Sequence, residues 1–166
     1  MDPVTIRPAR PEDAPAVAAI YNEGIAGRQA TFETRPREPE EVAAWLQEEG
    51  LLLVAAEGER ILGWARMTPY SDRCVYAGVG EYGVYVAGAA RGRRVGRELL
   101  DALCREAEAS GHHKLIGRMF AANAASRALA RAAGFREIGL ERRHGRLDGD
   151  WRDCVPVERL LGEAEG

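Results

Sequence analysis

The sequence predicts an α/β chain built on a central mixed and largely antiparallel sheet flanked by helices, and three observations carry that prediction. Apolar runs of strand length alternate with amphipathic segments of helix length. A strand–turn–strand hairpin is written into Leu51–Met67, with Glu57-Gly58-Glu59-Arg60 as its turn. Two strand–helix units then follow in the second half of the chain.

Val4–Arg7 opens the chain as a short strand. Pro8–Pro15 contains a helix start with Asp13 as its cap, and Ala14, Val17, Ala18 and Tyr21 recur at helical spacing as far as Gly24 and Gly27. A second helix begins near Pro39 and Glu40, carries Val42, Trp45 and Leu46 on its apolar face, and stops at Gly50. Leu51–Ala56 and Ile61–Met67 are the hairpin strands, Thr68–Gly78 is irregular, and Glu81–Val86 is a strand. Gly88–Arg94 is a loop rich in glycine and arginine that runs straight into a helix with Val95, Leu99, Leu100, Leu103 and Ala107 on one face, ending at Gly111. Lys114–Phe120 is a strand, Asn123–Ala133 a helix closed by Gly134, Phe135–Arg142 a strand, and Trp151–Leu160 the last strand.

Composition bounds the rest. The chain has 166 residues, 46% hydrophobic and 30% charged, with no repeat, linker or low-complexity stretch, so one domain is expected over residues 1–166. With 26 acidic and 23 basic residues the formal charge is −3, which argues against a dedicated nucleic-acid or membrane binder. No apolar run reaches the roughly 20 residues of a membrane span, and the N-terminal residues show no secretory pattern. Cys74, Cys104 and Cys154 are far apart and odd in number, so they read as reduced thiols of a cytoplasmic protein, with no metal site.

The loop carries the chemistry. Arg91-Gly92-Arg93-Arg94-Val95-Gly96-Arg97 follows the strand Val84-Tyr85-Val86 and opens a helix. Unpaired amides converge at a helix start and the dipole favours negative charge there. Four arginines add charge-assisted donors suited to phosphate oxygens. The Gly-Lys-Ser/Thr ending of a Walker A loop is absent, and the glycine spacing and late position do not fit a Rossmann fingerprint. A solvated arginine cluster is the plain alternative.

These residues resemble the GNAT superfamily of acetyl-CoA-dependent acyltransferases, whose pyrophosphate pattern [Q/R]-x-x-G-x-[G/A] is met by Arg91–Gly96 except at Arg94, where glycine is usual. Either Arg94 takes φ > 0 at a steric cost, or it sits in the first helical turn and adds a phosphate contact; the second is expected. Ile20-Tyr21-Asn22, Ala30-Thr31-Phe32-Glu33, Gly63-Trp64-Ala65, Glu81–Val86 and Asn123-Ala124-Ala125-Ser126 before Gly134-Phe135 extend the likeness over nearly the whole chain. They resemble the phosphinothricin, arsinothricin and methionine-sulfone N-acetyltransferases, with Ser71-Asp72-Arg73 and His144–Gly149 nearest the arsinothricin type. The resemblance implies acetyl-CoA as co-substrate, an amino-acid-like amine as acceptor and a homodimer.

Site residues follow from that resemblance. Direct transfer to an amine needs a base, an oxyanion donor and a proton for the leaving thiolate. Glu81 is the expected base, an ordinary strand-end glutamate being the other reading. The backbone of Val84, Tyr85 and Val86 is expected along the pantetheine arm, with Asn123 on its amide and Ser126 one turn on, although Asn123 also reads as a helix cap. Phe32, Arg73, Tyr76 and Tyr82, with Glu81, are the substrate-pocket candidates; Arg73 is the expected carboxylate fork, with Arg66 and Arg118 as rivals. The acid fails the pattern, for Ala130 stands where the superfamily often has Tyr and this branch His; the thiolate leaving unprotonated, water, Tyr85 and His144 are the alternatives, and none is assigned. Two other readings stay beside the enzyme: an inactive CoA-binding module, and a nucleic-acid contact through the arginine loop, which lacks interleaved aromatics.

Overall fold

The structure of the protein, a computed structural model, describes residues 2–162. The single domain expected over 1–166 thus includes Met1 and residues 163–166, which lie outside the described residues. Strand β1 is Val4–Pro8 and, after a turn at Pro11–Asp13, helix α1 is Ala14–Ala26. Helix α2 (Pro39–Trp45) starts at a capping box in which the Glu38 amide donates to Glu41 at 2.7 Å, with proline supplying a fixed φ in the first turn. The hairpin is β2 (Leu51–Glu57) and β3 (Arg60–Pro69), and β4 is Val79–Val86. Helix α3 (Val95–Ala109), β5 (Lys114–Phe120) and α4 (Ala124–Ala132) follow, then β6 (Arg136–Glu137), β7 (Glu141–Leu147) and β8 (Asp150–Leu160).

The strands form one sheet in the order β1-β2-β3-β4-β5-β8-β6, with β7 also on β8. Every pair is antiparallel except β4–β5. Helices α1 and α2 cover one face through Val17, Val42, Val54 and Trp64. On the other face α3 buries Leu99, Leu100 and Leu103 against Leu53, Leu62, Leu115 and Val157. That stripe is the one the sequence spacing predicted for α3.

Two local readings are corrected. Asp13 does not cap α1: its carboxylate accepts the Arg10 amide at 2.7 Å and the Arg7 guanidinium at 2.8 and 3.1 Å, closing the turn before the helix. The strand expected over Phe135–Arg142 is two strands, β6 and β7, separated at Ile138–Leu140. The cause is Pro156. Its carbonyl accepts the Ile138 amide at 2.8 Å, but on that same edge it has no N–H to return, so the ladder on β8 breaks.

Candidate active site

The pairing of β4 with β5 is short. Val79, Gly80 and Glu81 face Lys114, Leu115 and Ile116, and past that point β4 pairs only with β3 while β5 pairs with β8. The two strands therefore part after Glu81. One backbone edge of Tyr82–Val86 is left without a strand partner among the described residues, a state that unpaired amides and carbonyls tolerate only beside water or a ligand.

At the far end of β4 the chain enters α3 through a tight loop. Gly92 has φ 81° with open space where a Cβ would stand, and Arg94, one residue before the helix, has φ 64°. Arg94 is thus in the left-handed region rather than in the first helical turn, which corrects the expectation. The first helical bond runs from the Glu98 amide to the Arg94 carbonyl at 3.1 Å, so the amides of Val95, Gly96 and Arg97 have no acceptor within the helix. Gly96 is held tight, because a Cβ there would stand 3.3 Å from Leu129 and 3.4 Å from Val86. The arginines divide: Arg93 pairs with Glu57, Arg97 with Asp101 at 2.9 Å, while Arg91 and Arg94 are exposed and without an ion-pair partner among the described residues. Val84 and Val86 pack their side chains on the α3 face, leaving only backbone to the gap.

Glu81 opens on the other face. It lines a cleft of about 200 Å³ together with Tyr21, Trp45, Trp64, Arg66 and Tyr85. The walls are aromatic: Trp64 and Tyr85 stack at 4.7 Å with an 18° tilt, and Tyr21 meets Tyr85 edge-on at 5.0 Å. Burial pushes the Tyr85 phenol, and that of Tyr82, well above the ordinary tyrosine range, so both keep their protons. On β5, Arg118 grips Glu141 through Nε at 2.7 Å and stands 3.9 Å from Glu81.

The sequence-predicted residues are only partly brought together. Glu81, Tyr82 and Tyr85 all line the cleft, as expected, although the Tyr82 ring itself packs against Phe135 and over Gly117. Phe32 packs edge-on to Phe120 at 4.8 Å and sits under Gly145 of β7. Arg73 and Tyr76 do not line the cleft; the Arg73 guanidinium lies 5.4 Å above the Tyr76 ring in an exposed segment. Asn123 is the cap that its spacing suggested, accepting the Ser126 amide at 3.0 Å, and it also donates to the Gln29 carbonyl at 2.9 Å. Ala130 is buried, 1% exposed, with nothing to donate. Sequence reasoning missed Tyr21, Trp45 and Trp64 as walls, since nothing in local spacing shows that α1, α2 and β3 meet there. Among the described residues no helix is long and apolar enough to cross a membrane, and no group of His, Cys, Asp and Glu is placed to hold a metal.

The acetyltransferase (GNAT) domain matches residues 4–136. The chain belongs to the GNAT acetyltransferase family. Phosphinothricin N-acetyltransferase of Streptomyces coelicolor is 36% identical, over 95% of this chain and 96% of that protein. An L-methionine sulfoximine/L-methionine sulfone acetyltransferase of Pseudomonas paraeruginosa is 31% identical, over 95% and 94% of the two chains. A GNAT phosphinothricin acetyltransferase from Sinorhizobium meliloti, solved in complex with acetyl-CoA, superposes with a TM-score of 0.90 at 30% identity, over 96% of this chain and 89% of that one. This GNAT protein is an N-acetyltransferase, and the family uses acetyl-CoA. The β4 edge without a strand partner among the described residues, the helix-start amides and the open Gly92 all lie on the run from β4 into α3.

Proposed function

We propose that this GNAT enzyme acetylates the α-amine of a small amino-acid-like substrate of the phosphinothricin, arsinothricin or methionine-derivative type, with Glu81 as general base. The observation that carries the proposal is the position of Glu81: last residue of the β4–β5 pairing, where the strands part, and a wall of the aromatic cleft on the helix α1 side. The amine and the thioester would thus meet across one strand.

Acetyl-CoA, when bound, supplies the acetyl group as a thioester. The edge of Val84, Tyr85 and Val86 would run along its arm, while Gly92, Val95, Gly96, Arg91 and Arg94 would hold its pyrophosphate, with Arg93 and Arg97 braced by their acidic neighbours. Asn123 and Ser126, whose mutual bond shapes the α4 cap, would stand beside that arm. Glu81 would accept the first proton of the substrate ammonium. As the C–N bond forms and the C–S bond breaks, the amide nitrogen would lose its second proton to solvent water, and water would return one to the departing thiolate, since Ala130 has none to give. Arg118, 3.9 Å from Glu81, is placed for the carboxylate that neighbours an α-amine, a role its strand position supports better than the exposed position of Arg73.

The same reading places the protein in the cytoplasm as a homodimer. The three cysteines are free, which supports the first, and exposed Ile138, Leu140 and Trp151 near β7 support the second. Light scattering on the purified protein tests the dimer. The function itself is tested by following CoA release from acetyl-CoA with phosphinothricin, arsinothricin and methionine sulfone, for the wild type and Glu81→Gln. One or more amines should turn over, with kcat lowered roughly 10²- to 10⁴-fold in the variant and acetyl-CoA binding unchanged. No turnover with any α-amino acid would overturn the substrate class.

A further inference from the structure

Arg66 is the one cation that lines the cleft with Glu81, and nothing in the enzyme's acetyl-CoA chemistry uses it. It stands on β3 opposite Gly83, two positions from Thr68, the partner of Glu81. Two positions of strand are about 7 Å, so its backbone is set well along the cleft from the base. The guanidinium lies 4.2 Å above the Trp45 ring, which fixes its plane. Nη2 pairs with Glu48 at 2.5 Å, yet that carboxylate is 55% exposed while the Arg66 side chain is 21% exposed. A largely desolvated cation is therefore balanced by a well-solvated anion that takes one of its five donors. Nε and Nη1 have no acceptor among the described residues.

Building on the reading of Glu81 as the base at the amine site, we propose that Arg66 is a specificity-determining residue that receives an anionic group at the far end of the substrate side chain. Arg118, 3.9 Å from Glu81, stands beside the base for the α-carboxylate, which leaves Arg66, two strand positions along β3, to the rest of the substrate. A side chain ending in a phosphinate spans the cleft; its two oxygens match the guanidinium fork, and the aromatic walls cover its methylene stem. A neutral sulfone presents oxygens of similar shape but no charge to answer Arg66. The cleft therefore favours phosphinothricin over methionine sulfone.

The test compares kcat/KM for phosphinothricin and methionine sulfone in the wild type, Arg66→Gln, Arg66→Lys and Glu81→Gln, with melting temperatures as a folding control. The wild type should prefer phosphinothricin. Arg66→Gln should cut its kcat/KM roughly 10- to 100-fold, the range of a lost hydrogen bond to a charged group, while methionine sulfone changes less than about threefold. Arg66→Lys should keep part of the preference by retaining the charge. Loss of both substrates by the same factor, or an unchanged ratio in a folded Arg66→Gln, overturns the role of Arg66 even while Glu81→Gln is inactive and the base assignment stands. Undiminished turnover in Glu81→Gln overturns the underlying site reading, and a ratio still governed by Arg66 there would leave its selectivity intact.

Discussion

Arg118 and Glu81 face each other across the parting strands at 3.9 Å, close enough to attract and too far to hydrogen-bond. The guanidinium is already committed elsewhere, through Nε to Glu141 at 2.7 Å and through Nη2 at 3.3 Å. That grip fixes the plane of Arg118 and leaves Nη1 beside Glu81, the proposed base, where a substrate carboxylate would approach from the open side. Arg118→Gln should therefore raise KM for the amine substrate roughly tenfold or more, the order expected for one lost charge-assisted contact. KM for acetyl-CoA should stay within about twofold. Steady-state kinetics with each substrate varied in turn checks this, and equal rises in both constants would mean that Arg118 supports the fold rather than the substrate.

The left-handed Arg94 leads to a separate expectation. A side chain at φ 64° carries a steric cost that glycine does not, of about 1 kcal/mol. Arg94→Gly should raise the melting temperature of the free protein by roughly 2–4 °C. It should also weaken acetyl-CoA binding, because Arg94 is exposed and free of any ion pair among the described residues. Scanning calorimetry and titration with CoA separate the two effects. A variant that melts lower would show that Arg94 is held by something other than its backbone conformation.

Local chemistry made some of this structure legible and left the rest dark. The apolar stripe of α3, the Glu57–Arg60 turn and the Asn123 cap depend on neighbours within a few residues, so spacing reveals them. The break between β6 and β7 depends on a proline in a later strand, and Pro156 inside Trp151–Leu160 was the available signal. The cleft was the least readable feature. Its walls come from α1, α2, β3 and β4, and the alternation of β4, which turns the Glu81 and Tyr85 side chains one way and the Tyr82 ring the other, decides which side chains form its walls. Arg73 and Tyr76 were named from the family pattern, and the exposed segment that holds them has no cross-strand partner to aim them inward.

Asp13 gives the fold a defined acid limb. The Arg7 guanidinium, bonded to it at 2.8 and 3.1 Å, holds its carboxyl below the ordinary value of 3.8, against the opposing effect of burial. A depressed carboxyl binds its proton less readily in the folded state than in the unfolded one. Its contribution is thus complete above the unfolded value and is lost as pH falls through that value and the lower folded one. Asp13→Asn should lower the melting temperature at pH 7, with a loss of about 1.5–3 kcal/mol for bonds to a charged group. The variant should also show a shallower decline than the wild type below about pH 4. Melting curves from pH 7 to pH 3 on both proteins provide the check, and parallel declines would assign the acid limb to other carboxylates.

Gly24 joins α1 to the cleft wall, and its substitution sets two effects in opposition. Alanine is the better helix former by about 1 kcal/mol. Yet a Cβ at this position would stand 2.9 Å from Cδ2 and from Cε2 of the Tyr85 ring, closer than carbon atoms approach. That ring is not free to yield, because it stacks on Trp64 at 4.7 Å and meets Tyr21 at 5.0 Å. Overpacking of this kind costs about 1–3 kcal/mol, so it outweighs the gain in propensity. Gly24→Ala should melt a few degrees below the wild type, and the displaced ring should raise KM for the amine more than KM for acetyl-CoA, whose proposed site is the backbone edge of β4. Paired melting and kinetic measurements decide the matter: a variant more stable than the wild type, with unchanged amine kinetics, would show that Tyr85 can move without reshaping the cleft.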